Sequence, residues 1–204
     1  MAADESSVTP STDPSAEERK RRLVQSVEDF IREFSKESDR AAVILVGARL
    51  DYLLGELLSR FLLPNTGSGD ELLDADRALG TFSARIHAAY RLGLIDADFA
   101  RALHIFRRLR NMFAHETAGT SLDHGPSRDR IRELVGPVAQ SSAFLKLREA
   151  YFKEKPQTAA DFFTVSAMLV VRLEGACNSA ARVSSSKAFG FLPSARKATE
   201  EDTS

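Results

Sequence analysis

The sequence has no tryptophan and a single cysteine, Cys177, so no disulfide can close within the chain. Such usage fits a reducing compartment. An excess of charge of either sign is missing too: 28 Lys+Arg stand against 29 Asp+Glu, a formal net charge of -1. A protein built mainly to coat nucleic acid carries a large basic excess, so that class is disfavoured, while a local basic site is not. Also lacking is a long uncharged apolar run. The most hydrophobic stretch, residues 41–63, carries Arg49, Asp51, Glu56 and Arg60, and the apolar run 162–171 is too short to cross a bilayer. The polar, acidic N-terminus has no apolar core of the kind a signal peptide needs. These absences together predict a cytoplasmic protein with no membrane span.

What is present is helical periodicity. Hydrophobic residues make up 43% of the 204 positions, enough for one domain with a substantial core. Leu23, Val27, Phe30 and Phe34 recur at helical spacing after a capping-box pattern, Ser15 with Glu18. Ser38 and Asp39 are candidate caps for a helix over about 40–63, apolar on more than one face and therefore expected to sit centrally or to meet a partner. A short helical piece is expected at 70–78. A further helix follows Gly80-Thr81 and closes at Gly93. Another spans about 97–113, with Phe99, Leu103, Phe106 and Phe113 on one side and Arg101, His104, Arg107 and Arg108 largely on the other. Shorter helices are expected near 127–135 and 143–152, and a long one over about 158–183. No stretch alternates with period two between hairpin turns. The expected architecture is an all-α helical bundle over 15–183, between disordered tails at 1–14 and 184–204. In the second tail, Phe189, Phe191 and Leu192 are the only bulky apolar residues.

The chemistry-bearing stretch is Leu109-Arg110-Asn111-Met112-Phe113-Ala114-His115. Arginine keeps its charge at any physiological pH, and histidine exchanges a proton near neutrality. Arg110 could neutralise a phosphate, His115 could act as general base or acid, and Asn111 could orient one of them. The plainer alternative is a pair of cations at a helix end, favoured by the helix dipole. Five residues along an ideal helix leave two side chains about 140° apart, so the pair converges only if the helix loosens near Ala114 or a second copy completes a cleft. Arg101, Arg107 and Arg108 are candidate contacts for a nucleic-acid backbone, although no aromatic platform is interleaved with them and a solvated helix face is the default. His87 and His104 have no metal-ligand spacing with each other or with Cys177, and His124 follows Asp123 in a loop. Phosphate-binding glycine loops, a dinucleotide fingerprint and a nucleophile elbow are all absent, so neither metal nor cofactor is expected. Cys177, inside an apolar run, reads as a buried small hydrophobe. The helix–Gly93–helix junction offers few side chains suited to reading base edges.

Three segments resemble the mannitol operon repressor family: Ser38–Ile44 leading into Leu50–Leu54, Leu79–Ile86 continuing through Ala89–Ile95, and Ile105–His115. Their order and spacing are similar to that family over about residues 20–180. The third also resembles the HEPN superfamily, whose ribonuclease members carry Arg-x4–6-His with a polar residue after the arginine. Arg110, Asn111 and His115 fill those places. The HEPN resemblance implies a helical bundle that dimerises and brings two motifs to a shared cleft, which in the active nucleases cuts RNA without a metal. Likeness to the mannitol-repressor branch implies a regulator acting through a protein partner, such as a transcription factor or an antitoxin, without a DNA-reading module.

Overall fold

The computed structural model of the protein describes residues 14–115 and 119–185. Among these residues there are seven α-helices and no strand: α1 (Pro14–Phe34), α2 (Asp39–Phe61), α3 (Phe82–Arg91), α4 (Ala97–His115), α5 (Gly125–Val135), α6 (Ser142–Phe152) and α7 (Gln157–Ser179). The expected all-α bundle is therefore the fold. Both expected tails fall almost wholly outside the described residues, including Phe189, Phe191 and Leu192.

Local chemistry sets the helix boundaries. Ser38 accepts from the Ala41 amide at 3.3 Å, Thr81 from Ala84 at 3.2 Å and Ser141 from Phe144 at 3.2 Å. Each side chain satisfies an amide that the first turn leaves unpaired. Asp96 does the same for the Phe99 amide at 2.7 Å. Between α3 and α4 the chain reverses at Gly93, whose φ of 72° lies in the left-handed region that glycine enters without a Cβ penalty. Two expectations need correction at this level. Residues 70–78 form turns rather than a helix. Asp70 accepts from the amides of Leu72 and Leu73, and Arg85 donates to the carbonyls of Leu73 and Leu79, so the one helical bond of the loop, from the Asp74 amide to the Asp70 carbonyl, is not continued. The last helix stops at Ser179. Beyond it the Val183 amide donates to the Phe61 carbonyl at 2.8 Å, fixing the outgoing chain to the end of α2.

The core forms around α2 and α7. Helix α2 packs on α1, α3, α4 and α7, while α7 also carries α1, α5 and α6. This is why both sequences are apolar on more than one face: Val43, Val46, Leu50, Leu54 and Leu58 of α2 are buried, as are Phe162, Phe163, Val170 and Leu173 of α7. Phe34, Phe152 and Phe163 make a ring cluster, with centroids 5.1–6.4 Å apart, that pins α1 and α6 to α7. Cys177 is buried between α7 and α2, and burial pushes its thiol pKa up. No helix among the described residues is long and apolar enough to cross a membrane.

Candidate functional site on helix α4

Helix α4 runs without a break from Ala97 to His115, two residues beyond the expected end. The loosening near Ala114 that would swing His115 toward Arg110 does not occur. One face of α4 is core, with Leu103, Phe106, Leu109 and Phe113 buried. Arg110 lies at the edge of that face, half-buried, where its stem presses on Gly47 of α2. A Cβ built on Gly47 would stand 2.8 Å from Arg110 Cγ, so glycine is what lets α2 and α4 approach at this point. His115 is exposed at the helix end. At about 100° per residue the two side chains leave α4 about 140° apart.

His115 does have neighbours along its own face. Arg101, His104, Arg108, Asn111 and His115 follow one another at spacings of three, four, three and four. They share an arc of about 80° opposite the core. Asn111 is thus aligned with His115, and the arginine aligned with both is Arg108. Of the sequence-predicted residues, the fold groups Arg101, Arg108, Asn111 and His115 on this stripe and sets Arg107 and Arg110 to one side of it.

The permanent positive charge on this part of the molecule comes from arginine, since no lysine occurs between Lys36 and Lys146. Arg101 donates to Glu133 of α5 at 3.1 Å. By contrast, the Nε atoms of Arg107, Arg110 and Arg128 are buried and find no hydrogen-bond partner. A buried donor without an acceptor costs about 1–3 kcal/mol, more for a charged group, so each of these atoms is a local cost within the fold.

Helix α3 adds a third histidine to the stripe. The rings of His87 and His104 lie 4.7 Å apart, centroid to centroid. Desolvation lowers the His104 pKa below its ordinary value, and the nearby His87, Arg107 and Arg108 lower it further. The sequence offered no motif for this pair, because the two residues are 17 apart. The signal was geometric: the short Leu92–Asp96 turn folds α3 and α4 against each other, which brings the facing side chains of His87 and His104 together. No group of three or more His, Cys, Asp or Glu able to hold a metal occurs among the described residues. His124 occupies the N-cap position of α5 without a side-chain capping bond.

On another side of α4, a groove of about 390 Å³ opens between α4, α5 and α7. Ile105, Leu134, Val165 and Leu169 form its buried floor, and Phe99 and Met168 are half-buried at its walls. Asp96 and Asp98 stand at one rim and Arg172 at another. Comparison of the chain with protein-family models, curated proteins and solved structures finds no match.

Proposed function

We propose that the chain is a cytoplasmic regulatory domain, similar to the mannitol operon repressor family, that acts by binding a protein partner rather than by reading DNA. The observation that carries this reading is the α4–α5–α7 groove. It is concave and apolar on its floor, with carboxylates near the start of α4 and a guanidinium on α7. That pattern suits an amphipathic segment whose apolar side chains enter the groove, with a basic residue at the Asp98 rim and an acidic one at Arg172. A transcription factor or an antitoxin presenting such a segment is the expected partner. A photo-crosslinking residue at Met168, introduced in the native cell, tests the reading. The expected product is a crosslink to one distinct protein, whose co-purification is lost in Met168→Asp. Crosslinks only to a second copy of the chain, or a partner retained by Met168→Asp, would overturn it.

A second reading is favoured by the alignment of Asn111 with His115 on the outward stripe of α4. In it, two copies meet and form a metal-independent endoribonuclease of the HEPN kind. Arg110 stabilises charge on the phosphate, His115 transfers the proton and Asn111 orients it. Because Arg110 and His115 diverge on one helix, the site would draw on both copies, so activity should rise more steeply than linearly with dilute protein. RNA incubated in excess chelator should be cut, and His115→Ala should lower the rate at least 100-fold, as for loss of a general acid–base group, about 10²–10⁴. Cleavage that survives the substitution removes this reading.

A further inference from the structure

The paired histidines line a cleft of about 510 Å³ between α3 and α4. Ile86, Ala97 and Ala100 form an apolar floor, and the half-exposed Tyr90 ring flanks it. His87, His104, Arg101 and Arg108 supply its polar groups, and no carboxylate lines it. A second polar cleft, near Arg49, shows why that absence matters. There Arg22 pairs with Glu18, Arg49 with Glu174 and Arg60 with Glu56, so the cations are neutralised within the chain. Among the described residues, the cation of the α3–α4 cleft with an ion-pair partner is Arg101, which pairs with Glu133, and two imidazoles lie 4.7 Å apart beside Arg108. Two imidazoles that close repel once protonated unless an anion lies between them.

We propose that this cleft binds the phosphate monoester of a small molecule that carries a flat ring. The phosphate sits among His87, His104 and Arg108, and the ring lies along Tyr90 over the Ile86–Ala100 floor. A monoester is favoured over a diester by charge. It carries about -1.5 to -2 at neutral pH, enough to oppose a guanidinium and a protonated imidazole together. The apolar floor and the tyrosine ring call for a body with a flat, poorly hydrated surface rather than a bare anion. The cleft shares Arg101 with the partner groove, whereas His87, His104 and Arg108, which hold the phosphate, do not line that groove.

His104 gives binding a proton signature. It is faced by His87 and Tyr90 from α3 and flanked by Arg101, Arg107 and Arg108 on α4. With its pKa lowered in the empty protein, it is largely neutral at pH 7 and takes up a proton when a dianion arrives. Affinity therefore increases as pH falls from 8 toward 6.

Calorimetric titration of the full chain tests this, with adenosine 5′-monophosphate, adenosine, inorganic phosphate and a short single-stranded RNA without a terminal phosphate as probes. The expected order places the monophosphate at least 10-fold tighter than either adenosine or inorganic phosphate. Heats measured in buffers of different ionisation enthalpy should reveal proton uptake. Arg108→Gln and His104→Gln, checked for unchanged helicity, should each weaken the monophosphate at least 10-fold, and His104→Gln should abolish the proton uptake. Equal binding of monophosphate and inorganic phosphate, RNA bound more tightly than the monophosphate, no binding at millimolar monophosphate, or unchanged affinity in Arg108→Gln would each overturn the proposal.

Discussion

Single residues in this chain do their work by position more than by type. Arg85 is an example: its guanidinium donates to the carbonyls of Leu73 and Leu79 and to Asp51 Oδ1 at 2.8 Å. One side chain thereby holds the 62–81 connection against α2 and α3. Its role was not legible even though it lies in the Leu79–Ile86 segment, because its acceptors include backbone carbonyls of a loop. His104 leads to a prediction at this scale. Its folded pKa lies below the ordinary value near 6.5, so between the two values the unfolded chain binds more protons. Stability from this residue is then complete above about 6.5 and declines as pH falls toward the folded pKa. Chemical unfolding at pH 7.5 and 5.5 should show a loss of stability in the wild type that is smaller in His104→Gln. An identical loss in both proteins would refute the assignment to His104.

The helices repeat the lesson at larger scale. Seven of the eight expected helices form, and their approximate limits were legible, because apolar residues at helical spacing and Ser, Thr or Asp caps are local signals. The 70–78 segment misread as helical failed for a physical reason: its satisfaction comes from Arg85, outside the window that periodicity examines. That Arg110 and His115 leave α4 on different sides was legible from their spacing. What was not legible was the meaning of Gly47, which reads in sequence only as a weak point in an apolar helix. In the fold it is the contact that admits Arg110. Glycine to alanine in a helix interior ordinarily stabilises by about 1 kcal/mol. Overpacking costs about 1–3 kcal/mol, and the new Cβ would meet Arg110 Cγ at 2.8 Å. Gly47→Ala should therefore destabilise the wild type, and the same change in an Arg110→Ala background should stabilise. Denaturant midpoints of the four proteins decide it; the same sign in both backgrounds would mean that α2 and α4 do not touch through this pair.

For the whole molecule, the central pairing of α2 with α7 makes one core to which every other helix is attached directly or through one neighbour. Unfolding should then be a single cooperative event. The lone cysteine reports on it, since Cys177 is buried on α7 and its Sγ lies 3.4 Å from the Leu53 carbonyl of α2. The free energy derived from its protection against a thiol reagent should equal that from far-ultraviolet circular dichroism in urea. A markedly smaller value from the thiol would mean that α7 opens alone. The fold class was legible at this scale because it follows from summed periodicities. The pairing of His87 with His104 and the two clefts beside α4 were not, because each depends on helices meeting across turns.

The lysine-free span between Lys36 and Lys146 has a practical side. Amine-directed coupling to a sensor surface, or labelling with an amine-reactive dye, finds no side-chain target on α2, α3, α4 or α5. The lysines that fall within the seven helices are Lys20 of α1 and Lys146 of α6. A chip prepared this way leaves both faces of α4 chemically unmodified, so the groove and the histidine cleft can be measured on the same immobilised molecules.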